Sequence, residues 1–205
     1  FSNQHSRVWK YVFIIIPCAL GIRIMPIGFP MWEPARLSAY YEARHLEKFG
    51  LYKWEDLKLH TIPQDFADMQ GWKEMTEKTA KAYHSLSAEE KTRTIIFADN
   101  YGQAGAINYY GRSYDLPTAY SDNASFLYWM PDSLHIDNII LITDDKKEMQ
   151  HSFLKDFSSA VLSDSITNKY SRENGSLILT LKGANEKMNQ MFKEKIKLDK
   201  AKFKY

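Results

Sequence analysis

The pattern of apolar and polar residues divides the chain into two dissimilar parts. Residues 8–31 are apolar apart from Lys10 and Arg23, and residues 11–22 carry no charge at all. A membrane-spanning helix needs about 20 mainly apolar residues. We therefore predict that this segment is the remnant of a last transmembrane helix.

The prolines in and after this segment indicate where the helix should end. Pro26, Pro30 and Pro34 follow one another at intervals of four, and proline interrupts a helix because it lacks a backbone N–H. We expect residues 1–34 to form the helix remnant and a proline-rich exit. Residues 35–205 are expected to form a soluble α/β domain.

Two other interpretations of the apolar segment stay open. A secretory signal peptide also starts with basic residues, here Arg7 and Lys10, but no small-residue cleavage site follows. A shorter apolar run is also typical of a core helix in a soluble domain. If the segment spans a membrane, its basic start favours a cytoplasmic beginning and an extracytoplasmic domain, although Arg23 at the other end weakens this argument.

Helical and strand-like patterns alternate in the rest of the chain, and Ser87 and Glu90 have the spacing of a capping box. Helices are predicted over residues 35–48, 70–86, 101–110 and 146–157 and from about residue 184 to the C-terminus. Strands are predicted over residues 94–98, 139–143, 160–166 and 177–181. The lysine-rich outer face of the last helix is expected to be solvated.

This alternation of strands and helices predicts the fold class. We expect an α/β domain with a Rossmann-like open, mainly parallel sheet and helices on both faces, preceded by the apolar helical segment. Residues 94–98 and 139–143 should be central parallel strands, because both are short apolar runs rich in β-branched residues.

Composition narrows the possible partners. The 27 basic and 25 acidic residues give a formal charge of +2, so there is no concentrated basic character of the kind that binds nucleic acid. The single cysteine, Cys18, cannot form an internal disulfide and does not indicate a compartment.

The first candidate site is the sequence ADNYGQAGA at residues 98–106. A strand that ends at Asp99 and Asn100 runs through Tyr101 into Gly102 and Gly105 at a helix start, where free backbone amides favour phosphate or carboxylate groups. The spacing is not that of a dinucleotide-binding fingerprint. Tight packing of a strand against a helix through small residues also explains these glycines.

The second candidate site is the loop at residues 120–132. Asn123 and Ser125 lie beside aromatic residues that include Trp129, a combination that suits a sugar or a lipid headgroup. An ordinary loop anchored by buried aromatic residues would have the same composition. Because both candidate segments follow predicted strands, we expect them at one edge of the sheet.

Motifs for catalysis, metals and cofactors give no signal in the sequence. The six histidines lack familiar metal-ligand spacings, and nucleophile-elbow, P-loop and metalloprotease motifs are absent. We therefore predict no catalytic residue, no metal site and no cofactor in this chain.

Several segments resemble a known family. These are IPQDFADMQGWKEM, AKAYHSLSAEEKTR, IIFADNYGQAGAINYYG, LPTAYSDNASFLYWMP and, more loosely, KYSRENGSLIL. They are similar to the carboxy-terminal soluble region of bacterial membrane glycosyltransferases of the protein mannosyltransferase and aminoarabinose transferase type, glycosyltransferase family 39. Asp122 and the lysine-rich last helix depart from the family's pattern.

The resemblance implies a function for the parent protein. It implies transfer of a sugar from a polyprenyl-phosphate donor to a protein or lipid acceptor, with an upstream transmembrane bundle that carries the catalytic acidic residues and binds the donor. It also implies a bacterial inner-membrane location with this domain in the periplasm. The alternatives are a stand-alone Rossmann-like module that binds a nucleotide or a sugar phosphate and, with less support, a small intact α/β enzyme.

Overall fold

The computed structural model describes residues 2–132 and 134–202, with side chains from residue 8 onward in those ranges. The chain forms two compact units, Phe1–Ala67 and Asp68–Tyr205. The boundary at residue 34 between a helix remnant and a soluble domain stays a prediction.

The first unit begins with a long apolar helix, α1 (Ser2–Gly28). Its segment Val8–Gly28 is 21 residues long, only 6% of its most apolar stretch is buried, and it is long and apolar enough to cross a membrane. The expected interruption at Pro26 is wrong, because the helix continues through Pro17 and Pro26 and ends at Gly28.

Pro30 leaves a carbonyl of α1 without its usual partner, since the missing N–H would have bonded to the oxygen of Pro26. The hydroxyl of Tyr41 donates to that oxygen at 3.0 Å. Tyr41 is fully buried in α2 (Pro34–Glu42), so the end of α1 is tied to the helix that follows it.

Helix α2 is shorter than the predicted helix over residues 35–48. The chain takes a left-handed conformation at His45, with φ of 51°, and continues as a 3-10 turn over Leu46–Phe49. A short helix, α3 (Gln64–Ala67), ends the first unit.

The second unit contains a five-stranded sheet with the order β2-β1-β3-β5-β4. Its strands are β1 (Thr94–Ala98), β2 (Ala119–Tyr120), β3 (Asn138–Thr143), β4 (Phe157–Ser165) and β5 (Leu177–Ala184). Strand β1 pairs in parallel with both β2 and β3, which confirms the two central parallel strands.

The remaining pairings are antiparallel. Strand β5 pairs with β3 on one side and with β4 on the other, so β5 alone runs opposite to the other four strands. The fold is thus a mixed α/β structure with a mostly parallel sheet. Residues 166–176 join β4 to β5 without a helix, which suits an antiparallel hairpin, whereas parallel neighbours need a longer crossover.

Helices cover both faces of this sheet, as predicted. Ile96 and Ile140 pack with side chains of α4 (Trp72–His84) and α6 (Tyr101–Tyr110) on one face. Leu141 and its neighbours on the other face pack with Phe192 and Ile196 of α7 (Glu186–Lys202). Adjacent strand residues reach opposite faces because side chains alternate along a strand.

Local predictions have mixed outcomes. The capping box of Ser87 and Glu90 is confirmed at the start of α5 (Ala88–Thr92). The helix predicted over residues 146–157 is wrong, because that segment forms two 3-10 turns, Glu148–Gln150 and Ser152–Asp156. His151 lies between them with an extended backbone, which stops the first turn from continuing as a helix.

Candidate functional site

A cavity of about 470 Å³ lies between the sheet and α7. Its polar lining residues are Asp99, Asp122, Glu148 and Lys195, and its apolar lining is formed by Phe97, Ile139, Leu141, Phe153, Leu181, Met188, Met191 and Phe192. The polar groups come from segments that follow β1, β2 and β3 and from α7. In α/β proteins, ligands bind beyond the carboxyl ends of parallel strands, so this is the principal candidate site.

Asp99 is placed in the cavity by strand β1, and its backbone N–H donates to Ile142 O of β3 at 3.0 Å. Burial raises the pKa of the Asp99 carboxyl, and the nearby carboxylates of Asp144 and Asp145 raise it further. A hydrogen bond from Thr143 acts in the opposite direction. The charge of this group is therefore poorly tolerated in the cavity.

Glu148 is placed beside Asp99 by the 3-10 turn that follows β3. It is only 8% exposed. Burial raises the pKa of the Glu148 carboxyl, and the charge of Asp99 raises it as well. Two neighbouring carboxyl groups in an apolar cavity favour either a neutral form or a nearby cation.

A lysine of α7 supplies positive charge near the cavity. Lys195 forms an ion pair with Asp122 and a second one, at 3.2 Å, with Asp199 one turn further along the helix. Lys195 is exposed, as expected for the lysine-rich face, and its ion pairs place it at the edge of the cavity. Its apolar neighbours Met188 and Phe192 line the same cavity.

A second cavity, of about 460 Å³, lies at the start of α6. It is lined by Asp68, Trp72, Asn100, Tyr101, Gly102, Asp144, Arg172 and Glu173. Three carboxylates surround the helix start here, and Arg172 lies 3.5 Å from one of them, Asp68. Because like charges repel, this surrounding disfavours an anionic ligand.

One of the backbone amides at the start of α6 that were expected to face an anion, the N–H of Gln103, already has a hydrogen-bond partner. The side-chain oxygen of Asn100 accepts a hydrogen bond from the N–H of Gln103 at 2.9 Å, which makes Asn100 the N-cap of α6. A Cβ at Gly102 would lie 3.1 Å from that oxygen and 3.4 Å from the Trp72 ring. Gly102 thus allows α6 to pack closely against its surroundings, which supports tight packing as the reason for glycine at this position.

The predicted site residues are distributed over several places. Asp99 lines the first cavity, whereas Asn100, Tyr101 and Gly102 line the second. A Cβ at Gly105 would lie 3.7 Å from Phe126, so the start of α6 and the 120–132 loop are neighbours. Asn123, Ser125 and Trp129 are exposed, lie in or next to the 3-10 turn Ala124–Trp129, and line neither cavity.

Sequence patterns missed a third group of residues, Asp145, Glu148 and His151. Their potential ligand atoms all lie within 4.8 Å of one another. These residues recur at every third position, which does not match a familiar metal motif, and the segment was predicted to be a helix. The acidic pair Asp144 and Asp145 directly after a buried strand was the available signal.

Comparison with known proteins gives no relative for this chain. No protein-family model matches it, and neither a curated protein nor a solved structure is significantly similar.

Proposed function

We propose that this chain is the membrane-attached, extracytoplasmic accessory domain of a glycosyltransferase that transfers a sugar from a polyprenyl-phosphate donor to a protein or lipid acceptor. The observation that carries the proposal is the exposed apolar helix α1. Its segment Val8–Gly28 could span a membrane, and only 6% of the most apolar stretch of that segment is buried. The sequence resemblance to the carboxy-terminal region of family 39 enzymes supports the same function.

The apolar helix needs a cover of lipid or of other apolar helices. Phe13 is 73% exposed and Ile22 is 70% exposed, and other large apolar side chains of α1 are similarly open. Leaving a side chain of this kind in water instead of burying it costs about 1.5–3 kcal/mol. A bilayer, together with an upstream transmembrane bundle of the same parent protein, removes that cost.

The proposed function assigns separate roles to the two parts of the parent protein. The upstream bundle holds the donor and the catalytic acidic residues in the bacterial inner membrane, and the second unit lies in the periplasm. The first cavity suits a carbohydrate, because carboxyl groups such as Asp99 accept hydroxyl hydrogen bonds and aromatic rings such as Phe153 pack on sugar faces. We also infer a Rossmann-like origin for the parallel part of the sheet, β2-β1-β3.

The alternative of a free-standing module that binds a nucleotide or a sugar phosphate has less support. A phosphate at the start of α6 would compete with the Asn100 cap and would face Asp68 and Glu173. The first cavity also presents three carboxyl groups, Asp99, Asp122 and Glu148, although Lys195 offers one positive charge.

Attachment and orientation can be tested with C-terminal reporter fusions in bacteria. The chain fused to alkaline phosphatase should stay in the membrane after alkaline carbonate extraction and show high phosphatase activity, which requires the periplasm. A matched fusion with Ile15→Asp and Leu20→Asp should lose membrane retention, because charges in the helix centre are unfavourable in lipid. Retention of the wild-type chain in the soluble fraction would contradict membrane attachment.

The transfer function itself is tested in two preparations with radiolabelled polyprenyl-phosphate sugars. The 205-residue chain alone should form no product, whereas the parent protein should transfer the label to protein or lipid. Turnover by the chain alone would show that catalytic groups lie within it. Absence of transfer by the parent protein across a panel of donors would refute the proposed reaction.

A further inference from the structure

Three potential metal ligands follow strand β3 at intervals of three residues. Asp145, Glu148 and His151 are brought together by a tight turn, in which Glu148 N donates to Asp145 O and His151 N donates to Glu148 O, both at 3.0 Å. Their potential ligand atoms lie within 4.8 Å of one another. Ligands of a zinc ion lie about 3–4 Å apart, so small side-chain movements would bring these atoms to a common ion.

Glu148 gives an independent reason to expect a cation. Glu148 is only 8% exposed as a whole residue, and it lines the first cavity. Among the side chains described from residue 8 onward and the described backbone, no group donates a hydrogen bond to its carboxylate. A carboxylate that faces a largely apolar cavity without a hydrogen-bond donor is unfavourable, and a metal ion is one of the partners that stabilise it.

The cluster is also oriented as a ligand set. Asp145 accepts a hydrogen bond from Lys147 N at 2.8 Å through Oδ1, which leaves Oδ2 facing His151 Nε2 at 2.9 Å. A second hydrogen bond of this kind fixes the direction of a metal-binding carboxylate.

We propose that Asp145, Glu148 and His151 bind one divalent transition-metal ion of the Zn²⁺ or Mn²⁺ type at the edge of the first cavity. The imidazole favours such an ion, because Mg²⁺ and Ca²⁺ prefer ligand sets made of oxygen atoms. The two carboxylates match the charge of the ion. Three protein ligands leave at least one coordination position for water or for a ligand oxygen in the cavity.

This site is independent of the proposed transfer reaction. Binding of the ion requires only the three side chains, and its failure would leave membrane attachment and sugar transfer unaffected as proposals. Conversely, a metal-binding result would not establish glycosyl transfer.

The test is metal binding to the complete chain, without a histidine tag, in detergent micelles. After treatment with a chelator and dialysis, ZnCl₂, MnCl₂ and MgCl₂ are titrated separately by calorimetry, and bound Mn²⁺ is followed by loss of its free-ion electron paramagnetic resonance signal. We expect one Zn²⁺ or Mn²⁺ per chain. Glu148→Gln and His151→Gln should each weaken binding at least about tenfold.

The chain offers a control in a partly exposed His–Asp pair that lacks a buried carboxylate. His60 Nε2 lies 3.0 Å from Asp56, much as His151 faces Asp145. His60→Gln should therefore leave metal affinity unchanged. Circular dichroism checks that each variant is folded, and His151→Gln decides the question if Glu148→Gln unfolds, because His151 is exposed.

Three results would overturn the proposal. These are absence of saturable Zn²⁺ and Mn²⁺ binding by the wild-type chain, wild-type affinity in folded His151→Gln, and a loss in His60→Gln as large as in His151→Gln. Binding of Mg²⁺ as tight as that of Zn²⁺ or Mn²⁺ would overturn the assigned metal type.

Discussion

The carboxylate of Glu74 fastens helix α4 to the segment that follows strand β4, and we expect its replacement to weaken the second unit. It accepts hydrogen bonds from Thr167 N and Oγ1, both at 2.8 Å, and from Asn168 N at 3.1 Å. Lys78 forms an ion pair with it at 2.8 Å. Glu74→Gln keeps the size of the side chain but removes its charge and one acceptor oxygen.

The magnitude follows from the pKa of this group. Burial raises the pKa of Glu74, but the hydrogen bonds from Lys78 and Thr167 outweigh burial and lower the pKa from 4.5 to about 2. At about 1.4 kcal/mol per pKa unit, the upper limit is about 3 kcal/mol. Solvent screens a side chain that is 24% exposed, so we expect Glu74→Gln to lower the free energy of unfolding by about 1–2 kcal/mol near neutral pH.

The sign of the pH dependence is fixed by the lowered pKa. The charged form of Glu74 stabilises the fold above the unfolded-state pKa, near 4.5, and this contribution disappears as the pH falls towards 2. The difference between wild type and Glu74→Gln should therefore shrink between about pH 5 and pH 2. Other acidic groups titrate in the same range, but they are common to both proteins and cancel in the difference.

The assay is urea unfolding in detergent micelles, followed by circular dichroism at a series of pH values. Glu194→Gln is the matched control, because Glu194 is exposed and no described side chain bonds to it. We expect that control to stay within about 0.5 kcal/mol of wild type. A constant difference between wild type and Glu74→Gln from pH 7 to pH 3, or an equal loss in Glu194→Gln, would refute this reasoning.

Two further predictions concern buried contacts of the second unit and use the same unfolding assay at neutral pH. Asn189→Ala should lower the free energy of unfolding by about 2–3 kcal/mol, because Asn189 accepts a hydrogen bond from Ile136 N at 2.7 Å and donates one to Ile136 O at 2.9 Å. An unchanged unfolding midpoint, or an equal loss in the exposed control Gln190→Ala, would contradict this. Gly71→Ala should cost more than about 1 kcal/mol, because Gly71 has a φ of 88° and an added Cβ would overlap Ser171; wild-type stability would show that the backbone relaxes freely.

Residue patterns predicted the elements whose environment is nearly uniform. Strands β1 and β3 are buried on both faces, so their apolar, β-branched sequences identify them directly. Helix α4 has a single buried side, and residues such as Met75 and Thr79 recur on it at helical spacing.

Patterns failed for the segment after β3, where local side-chain contacts override a helical preference, and for the direction in which strands pair. The residues after β3 favour a helix, but Asp145 bonds to Lys147 N and His151 becomes extended, so two short turns form instead. A strand was predicted over residues 160–166 and forms as β4, but its mostly exposed side chains do not indicate that it pairs with β5. Pairing direction depends on such contacts and is not encoded in apolar periodicity.

The candidate site was predictable only in part for the same reason. Asp99 directly follows a recognisable strand, so its position at the sheet edge could be expected. Glu148 and Lys195 approach that edge from segments that lie 49 and 96 residues after Asp99 in the chain. Their convergence depends on strand order, which the sequence patterns did not determine.

The strand order has a consequence for how the chain is made. Strand β5 is the last to be synthesised, yet it lies between β3 and β4 and holds both in place. Until residues 177–184 emerge, β3 has an unpaired edge and β4 has no neighbour. An open apolar edge invites pairing with other chains. A nascent or truncated chain that stops before residue 177 is therefore expected to need protection from aggregation. A shortened chain that is intended to fold must retain β5.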